Sequence, residues 1–234
     1  MLLNVHSYYS LRYGTLSLEQ LIEDMMICGY DTAVLTDINN SSATLHFIQM
    51  AKDKGLNGLA GMEFRNEDEL LYIGIAKNQQ GFKALNDLMT RMNREHKPAP
   101  AIAPELEQVF IVYPYGKVKI DQLKPNEYIG IRPNQLNKIR TEPSSDYDRY
   151  VILQTVSFHA NEYKLHLQLR SIDHNVLISQ LKPHQAGQRS EVMIPKAELL
   201  QVYKDFPKLI SNTNRLLQQC SFDLDFKEVK NKKT

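Results

Sequence analysis

Short apolar runs alternate with amphipathic stretches through the first two-thirds of the chain. Residues 2–6 form an apolar run that reads as a strand, and residues 18–28 follow as a helix. On that helix Leu18, Leu21, Ile22, Met25 and Met26 recur at the helical period and mark one buried face. Ser17 stands ahead of it as an N-cap, and Gly29 stands behind it as a stop. The arrangement repeats with a strand over 32–36, a helix over 43–54 closed by Gly55, and a strand over 56–61. A βαβα order of this kind predicts a parallel sheet or barrel. Further on, 70–76 reads as a strand and 81–92 as a helix, after which Pro98, Pro100 and Pro104 break the chain into a loop. Residues 109–113, 128–131 and 150–155 read as three more strands, and 141–149, with Pro143, Ser144 and Ser145, reads as a turn or short loop. From Glu162 the pattern becomes helical and ends in a helix over 203–219. Six or seven strands, most followed by helices, leave a barrel and a doubly wound sheet both open.

Composition narrows the function classes. A chain of 234 residues that is 42% hydrophobic can bury a sizeable core. The formal charge of +1 gives no basic footprint, so any DNA contact of this chain alone is expected to be local, weak and salt-sensitive. Cys28 and Cys220 lie far apart without neighbours at metal-ligand spacing and read as reduced thiols. The opening MLLNVHSYYS has neither a basic flank nor a long apolar run, so no membrane span or signal peptide is expected and the predicted location is cytoplasmic. Lys227, Lys230, Lys232 and Lys233 sit in a polar tail that reads as a solvated linker more readily than as a nucleic-acid-binding module.

In parallel folds the carboxyl ends of strands gather the chemistry. Here those ends carry His6, Asp37, Glu63 and His159. Each alone is an ordinary cap, turn or structural residue. Four together make the imidazole and carboxylate set that binds zinc, manganese or iron.

The motifs around these residues carry a resemblance. Asn4-Val5-His6-Ser7-Tyr8-Tyr9-Ser10-Leu11-Arg12-Tyr13-Gly14 resembles the first PHP (polymerase and histidinol phosphatase) motif, H-x-H-x-x-x-S-x-x-D-G. Leu35-Thr36-Asp37-Ile38-Asn39-Asn40 resembles the family's L-T-D-H-G-N, and Gly61-Met62-Glu63 its G-x-E. Ala76-Lys77-Asn78-Gln79-Gln80-Gly81-Phe82 is similar to the A-K-N-x-x-G-[YF] of polymerase members. Asn212-Thr213 and Cys220, followed by Phe222-Asp223-Leu224-Asp225-Phe226, resemble the stretch that closes this domain before the polymerase begins. The resemblance is thus to the amino-terminal PHP domain of bacterial DNA polymerase III alpha subunits, with the domain over 1–226 and a linker over 227–234 leading to a polymerase domain.

That resemblance implies an α/β fold, a PHP-type distorted (β/α)7 barrel, and a metal cluster used in phosphoester hydrolysis or proofreading. His6, Asp37, Glu63 and His159 match retained ligand positions. Asn4, Tyr13, Ile38, Leu71 and Ser157 stand where the family has His, Asp, His, His and Asp, respectively. Ile38 and Leu71 offer no lone pair, Asn4 is a weak ligand, and Ser157 lacks the charge of a carboxylate. A multinuclear cluster and catalysis of its own are therefore not expected. The retained residues would suffice for a single zinc or manganese on His6, Glu63 and His159. The resemblance further implies a structural or interaction role beside the downstream polymerase domain and the proofreading exonuclease subunit. DNA would be met only through the parent replicase, which would use magnesium-bound carboxylates beyond Thr234. The alternative is a free-standing metal-dependent PHP phosphoesterase, which needs an intact metal site.

Overall fold

The first strand of the chain is hydrogen-bonded on one side to the second and on the other to the last. In the structure, a computed structural model that describes residues 1–222, β1 (Leu2–Val5) runs parallel to both β2 (Thr32–Leu35) and β8 (Thr155–Val156). From β2 the sheet continues through β3 (Asn57–Asn66), β4 (Glu69–Ala76), β5 (Val109–Pro114), β6 (Glu127–Ile131) and β7 (Tyr150–Ile152). The two outermost strands, β7 and β8, are joined by Leu153 and Gln154 alone, so the ends of the ladder lie side by side and the sheet has to curl into a ring. The Leu153 N–H donates to Ile131 O at 3.0 Å and the His6 N–H to Val156 O at 2.8 Å, which carries the pairing across the junction. With β7 and β8 counted as one interrupted strand, the eight strands make a distorted seven-stranded barrel. This decides between the barrel and the doubly wound sheet that the periodicity leaves open.

The order is not uniformly parallel. Strand β3 continues past residue 61 to Asn66 and folds back as β4, which is antiparallel to both β3 and β5. Periodicity hides this extension because the strand alternates apolar Met62 and Phe64 on one face with charged Glu63 and Arg65 on the other. Glu67, with φ 51°, makes the tight reversal.

The helices pack around the ring. Helix α1 (Leu18–Ile27) opens on a reciprocal capping box between Ser17 and Gln20. Helix α2 (Thr44–Asp53) lies beside it and packs on β3. Helix α3 (Gln79–Glu95) begins two residues before the apolar pattern does, because Asn78 accepts from the Gln80 and Gly81 N–H groups and caps it there. Leu85, Leu88 and Met92 of α3 form an apolar layer with Phe64, Tyr72 and Ile111 of the sheet. The short α4 (Leu136–Ile139) follows β6.

Beyond β8 the helical region expected from Glu162 onward contains three helices. Helix α5 (Tyr163–His174) is followed by irregular chain, then by α6 (Lys196–Val202) and α7 (Pro207–Gln218). Pro207 at the first helical position sets the start of α7 later than residue 203. Tyr203 is instead buried and donates its hydroxyl proton to Ile131 O at 2.6 Å. The proposed boundary at 226 and the four tail lysines lie outside the described residues.

Candidate functional site

Strand alternation decides which side chains enter the barrel. Asn4 and Thr155 are register partners on β1 and β8, so they share a face, and His6 and Ser157 repeat that face two residues later. On β3 the corresponding positions are Glu63 and Arg65. All of these side chains are buried. The Glu63 carboxylate is the hub: Oε2 accepts from Asn4 Nδ2 at 2.6 Å and lies 3.0 Å from His6 Nε2, while Oε1 accepts from Arg65 Nε. The other ring nitrogen of His6, Nδ1, lies 2.9 Å from Ser157 Oγ.

A second buried carboxylate closes the cluster from the irregular chain between α5 and α6. Glu191 Oε2 accepts from Ser157 Oγ at 2.9 Å and from the Tyr13 hydroxyl at 3.1 Å, and Oε1 accepts from the Gln188 N–H at 3.1 Å. The Tyr13 ring is flanked by two guanidinium groups, Arg65 at 4.3 Å and Arg170 at 5.3 Å from its centroid. Arg170 is buried as well and ties Asp68, in the β3–β4 turn, to Asp173 on its own helix. His166, one turn earlier on α5, lies 2.8 Å from Tyr13 O through Nδ1 and accepts the Gly187 N–H at Nε2, also at 2.8 Å. Asn39 fixes Arg65 through its backbone, accepting its N–H at 3.1 Å and donating to its carbonyl at 2.9 Å.

The remaining expected positions are distributed differently. Asp37 is buried and organises the loop after β1, accepting from the Ser7 N–H, Ser7 Oγ and Ser10 Oγ at 2.7–2.8 Å. Ile38 sits beside Glu63 through a backbone bridge, and its N–H donates to Ser10 Oγ. Leu71 is the residue skipped where the β3–β4 register shifts, and it packs in the apolar layer under α3 rather than against Glu63. His159 turns away to Asp24 on α1, with Nε2 2.7 Å from Oδ2, and is also close to Glu162. His159 thus pairs with Asp24 instead of joining His6 and Glu63, and the His6–Glu63 pair continues through Ser157 to Glu191.

Three of the four residues that complete the cluster, Arg65, Arg170 and His166, announce themselves in the sequence only as charged or titratable residues two apart on a strand or four apart on a helix. Such spacing shares a face and was a usable signal. Glu191 lies in a segment without periodicity and gives no signal.

A family profile described as "PHP domain" matches residues 3–118, the span from β1 to just past β5. Residues 3–118 carry a PHP domain. It is 37% identical over 83 residues, 36% of its length, to the DNA polymerase III subunit alpha of Ureaplasma parvum, of which the match covers 8%. A match to the DNA polymerase III subunit alpha of Halalkalibacterium halodurans runs along 95% of the chain and 23% of that protein, at 22% identity. The chain thus spans less than a quarter of the length of these relatives. Among solved structures, an amidohydrolase from Chromobacterium violaceum aligns over 67% of this chain and 87% of its own, at 10% identity and a TM-score of 0.43.

The PHP resemblance implies a metal cluster, and the donor set here can be tested against it. Among the described residues no group of three or more His, Cys, Asp or Glu side chains stands together in a way that could hold a metal ion. The Arg65 side chain, only 7% exposed, pairs with Glu63 and lies over the Tyr13 ring, whose hydroxyl donates to Glu191. Burial alone would raise the Glu63 carboxyl, but Arg65 and His6 outweigh it and hold that carboxyl well below the usual range. Burial would likewise lower the Arg65 guanidinium, and Glu63 reverses this. A fixed cation in contact with the carboxylate opposes a second cation at the same place. The residues present do not fit the PHP metal cluster. What they can do chemically is hold two buried carboxylates, Glu63 compensated by Arg65 and Glu191 hydrogen-bonded by Ser157, Tyr13 and the Gln188 N–H. No helix among the described residues is long and apolar enough to cross a membrane.

Proposed function

We propose that this PHP domain is the amino-terminal module of a DNA polymerase III alpha subunit and acts in DNA replication as a scaffold and interaction domain, without hydrolysing phosphoesters itself. The observation that carries the reading is the similarity to a DNA polymerase III subunit alpha along 95% of the chain. The Arg65–Glu63 pair supports the non-hydrolytic part, since water activation needs a metal in an open coordination position. On this reading the protein works in the cytoplasm, its partners are the polymerase domain of the same polypeptide and the proofreading exonuclease subunit, and magnesium serves only the polymerase domain.

The test joins two measurements. The reading frame followed beyond codon 234 should continue into carboxylate-bearing polymerase motifs, and residues 1–234 should copurify with that downstream region when the two are expressed as separate chains. A stop codon at that point, together with turnover of a chromogenic phosphate ester in added manganese or zinc, would instead establish a free-standing phosphoesterase.

A further inference from the structure

We propose that the groove between α1 and α2, on the outside of the barrel, is a docking site for a basic amphipathic helix carried by another protein. This rests on the reading of the chain as an interaction module and gives that module a surface and a partner chemistry.

Helix α1 lines the groove with Glu19, Ile22, Glu23 and Met26, whose spacing of i, i+3, i+4 and i+7 keeps all four on one face, and α2 meets them with Met50 and Asp53. The space between the two helices measures about 500 Å³. Its floor is apolar. Ile22 is buried at the base, Met26 is 53% exposed, and Ile27, the next residue, is 82% exposed. Methionine side chains adapt their shape to an apolar partner, which suits a groove that receives one face of a helix. The rim is acidic: Glu19, Glu23 and Asp53 stand against a single lysine, Lys54. The Glu23 and Asp53 carboxylates have no ion-pair or hydrogen-bond partner among the described residues. Unpaired carboxylates around an apolar floor complement a helix that carries aliphatic side chains on one face and lysine or arginine beside them. The same carboxylates repel the phosphates of nucleic acid and the headgroups of acidic lipid, which leaves a protein segment as the occupant.

The test uses the whole chain and a fluorescent peptide of about 15 residues, with leucine on one helical face and lysine elsewhere, followed by anisotropy. One control peptide holds the same residues shuffled so that leucine surrounds the helix, and another has glutamate in place of every lysine. Only the first peptide should bind, and added salt should weaken it. Reversing two rim charges together, Glu23→Lys with Asp53→Lys, should weaken binding about tenfold. Glu105→Lys with Glu107→Lys makes the same change in net charge on the loop before β5 and should alter binding less than about twofold. All four positions are exposed, so these variants keep the fold. The proposal is overturned if the first peptide fails to bind the wild type, if the two reversed pairs behave alike, or if the shuffled peptide binds as well. It is also overturned by a different occupant. Wild-type dimers that Glu23→Lys with Asp53→Lys dissociates would put a second copy in the groove, and a gain in peptide affinity when Lys227, Lys230, Lys232 and Lys233 are all changed to Gln would put the chain's own tail there. The reading frame beyond codon 234 decides the module reading separately, so a null peptide result overturns this inference alone.

Discussion

Glu63 and Arg65 stand two residues apart on β3, both turned into the barrel, and the arginine Nε donates to the glutamate carboxylate beyond the reach of solvent. Buried pairs are costly to break because the survivor is left charged and unpaired. Glu63→Ala should therefore cost about 3–5 kcal/mol. The exposed Arg12–Asp173 pair is the internal control, and Arg12→Ala should cost no more than about 1 kcal/mol. Urea unfolding of the two variants measures both, and equal losses would contradict the picture of Glu63 as the hub.

Two groups should shape the response to acid. His166 is held below its ordinary value of 6.5, chiefly by burial, and so is neutral in the folded state where the unfolded chain would take up a proton. Stability from this residue is complete above about pH 6.5 and is lost as the pH falls through the lower folded value. Glu63, also depressed, adds a second loss that begins below its unfolded value of 4.5. Melting temperatures measured from pH 7.5 to pH 3 should decline in these two windows. His166→Gln should flatten the upper one, and an unchanged slope in that variant would count against the assignment.

Two buried tyrosines give a paired test of hydrogen-bond value. The Tyr72 hydroxyl has no protein partner, whereas that of Tyr203 donates to Ile131 O at 2.6 Å. Tyr72→Phe should change stability by less than about 0.5 kcal/mol, and Tyr203→Phe should cost about 1 kcal/mol. Chemical denaturation resolves the difference, and a reversed order would show that the Tyr203 contact is not maintained in solution.

The two thiols should differ sharply in reactivity. Cys220 is buried, donates to Leu216 O, and has its pKa pushed up to about 12 by burial, while Cys28 is only partly covered. A disulfide reagent at neutral pH should modify Cys28 first and Cys220 only on unfolding, because the thiolate is the reactive form. Peptide mapping of the modified native protein reads this directly; rapid labelling of Cys220 would mean that α7 opens readily.

The ring was legible where burial follows periodicity. The apolar face of α1, its Ser17 cap and its Gly29 stop all follow from residue type and spacing, and strands β1 and β2 are short apolar runs. Helix α5 was not readable in the same way, because it buries His166 and Arg170 while Leu165 and Ile172 face solvent, so its hydrophobic period points away from the core. Asn4, His6, Glu63 and Ser157 could be singled out by motif order. Arg65 was open to the two-residue spacing from Glu63 on its strand, whereas Glu191, in a segment without periodicity, was not. His159 follows a strand end, but it lies two residues past Ser157 in a chain that has already left the sheet, which allows it to reach Asp24. Leu71 entered through the resemblance alone; the register shift in the β3–β4 hairpin passes over it, and it packs in the apolar layer under α3.

The two-residue link at Leu153 and Gln154 also governs when the protein can become itself. Strand β1 is made first, yet its second neighbour, Thr155–Val156, is among the last parts of the sheet to be synthesised. Until that segment leaves the ribosome, the open edge of β1 has nothing to pair with, and Asn4 and His6 remain in water. Partners so distant in sequence slow folding and prolong the life of an unpaired edge. Until Thr155–Val156 emerges, the nascent chain is therefore an incomplete cylinder, dependent on its surroundings to keep that seam from pairing with a stranger.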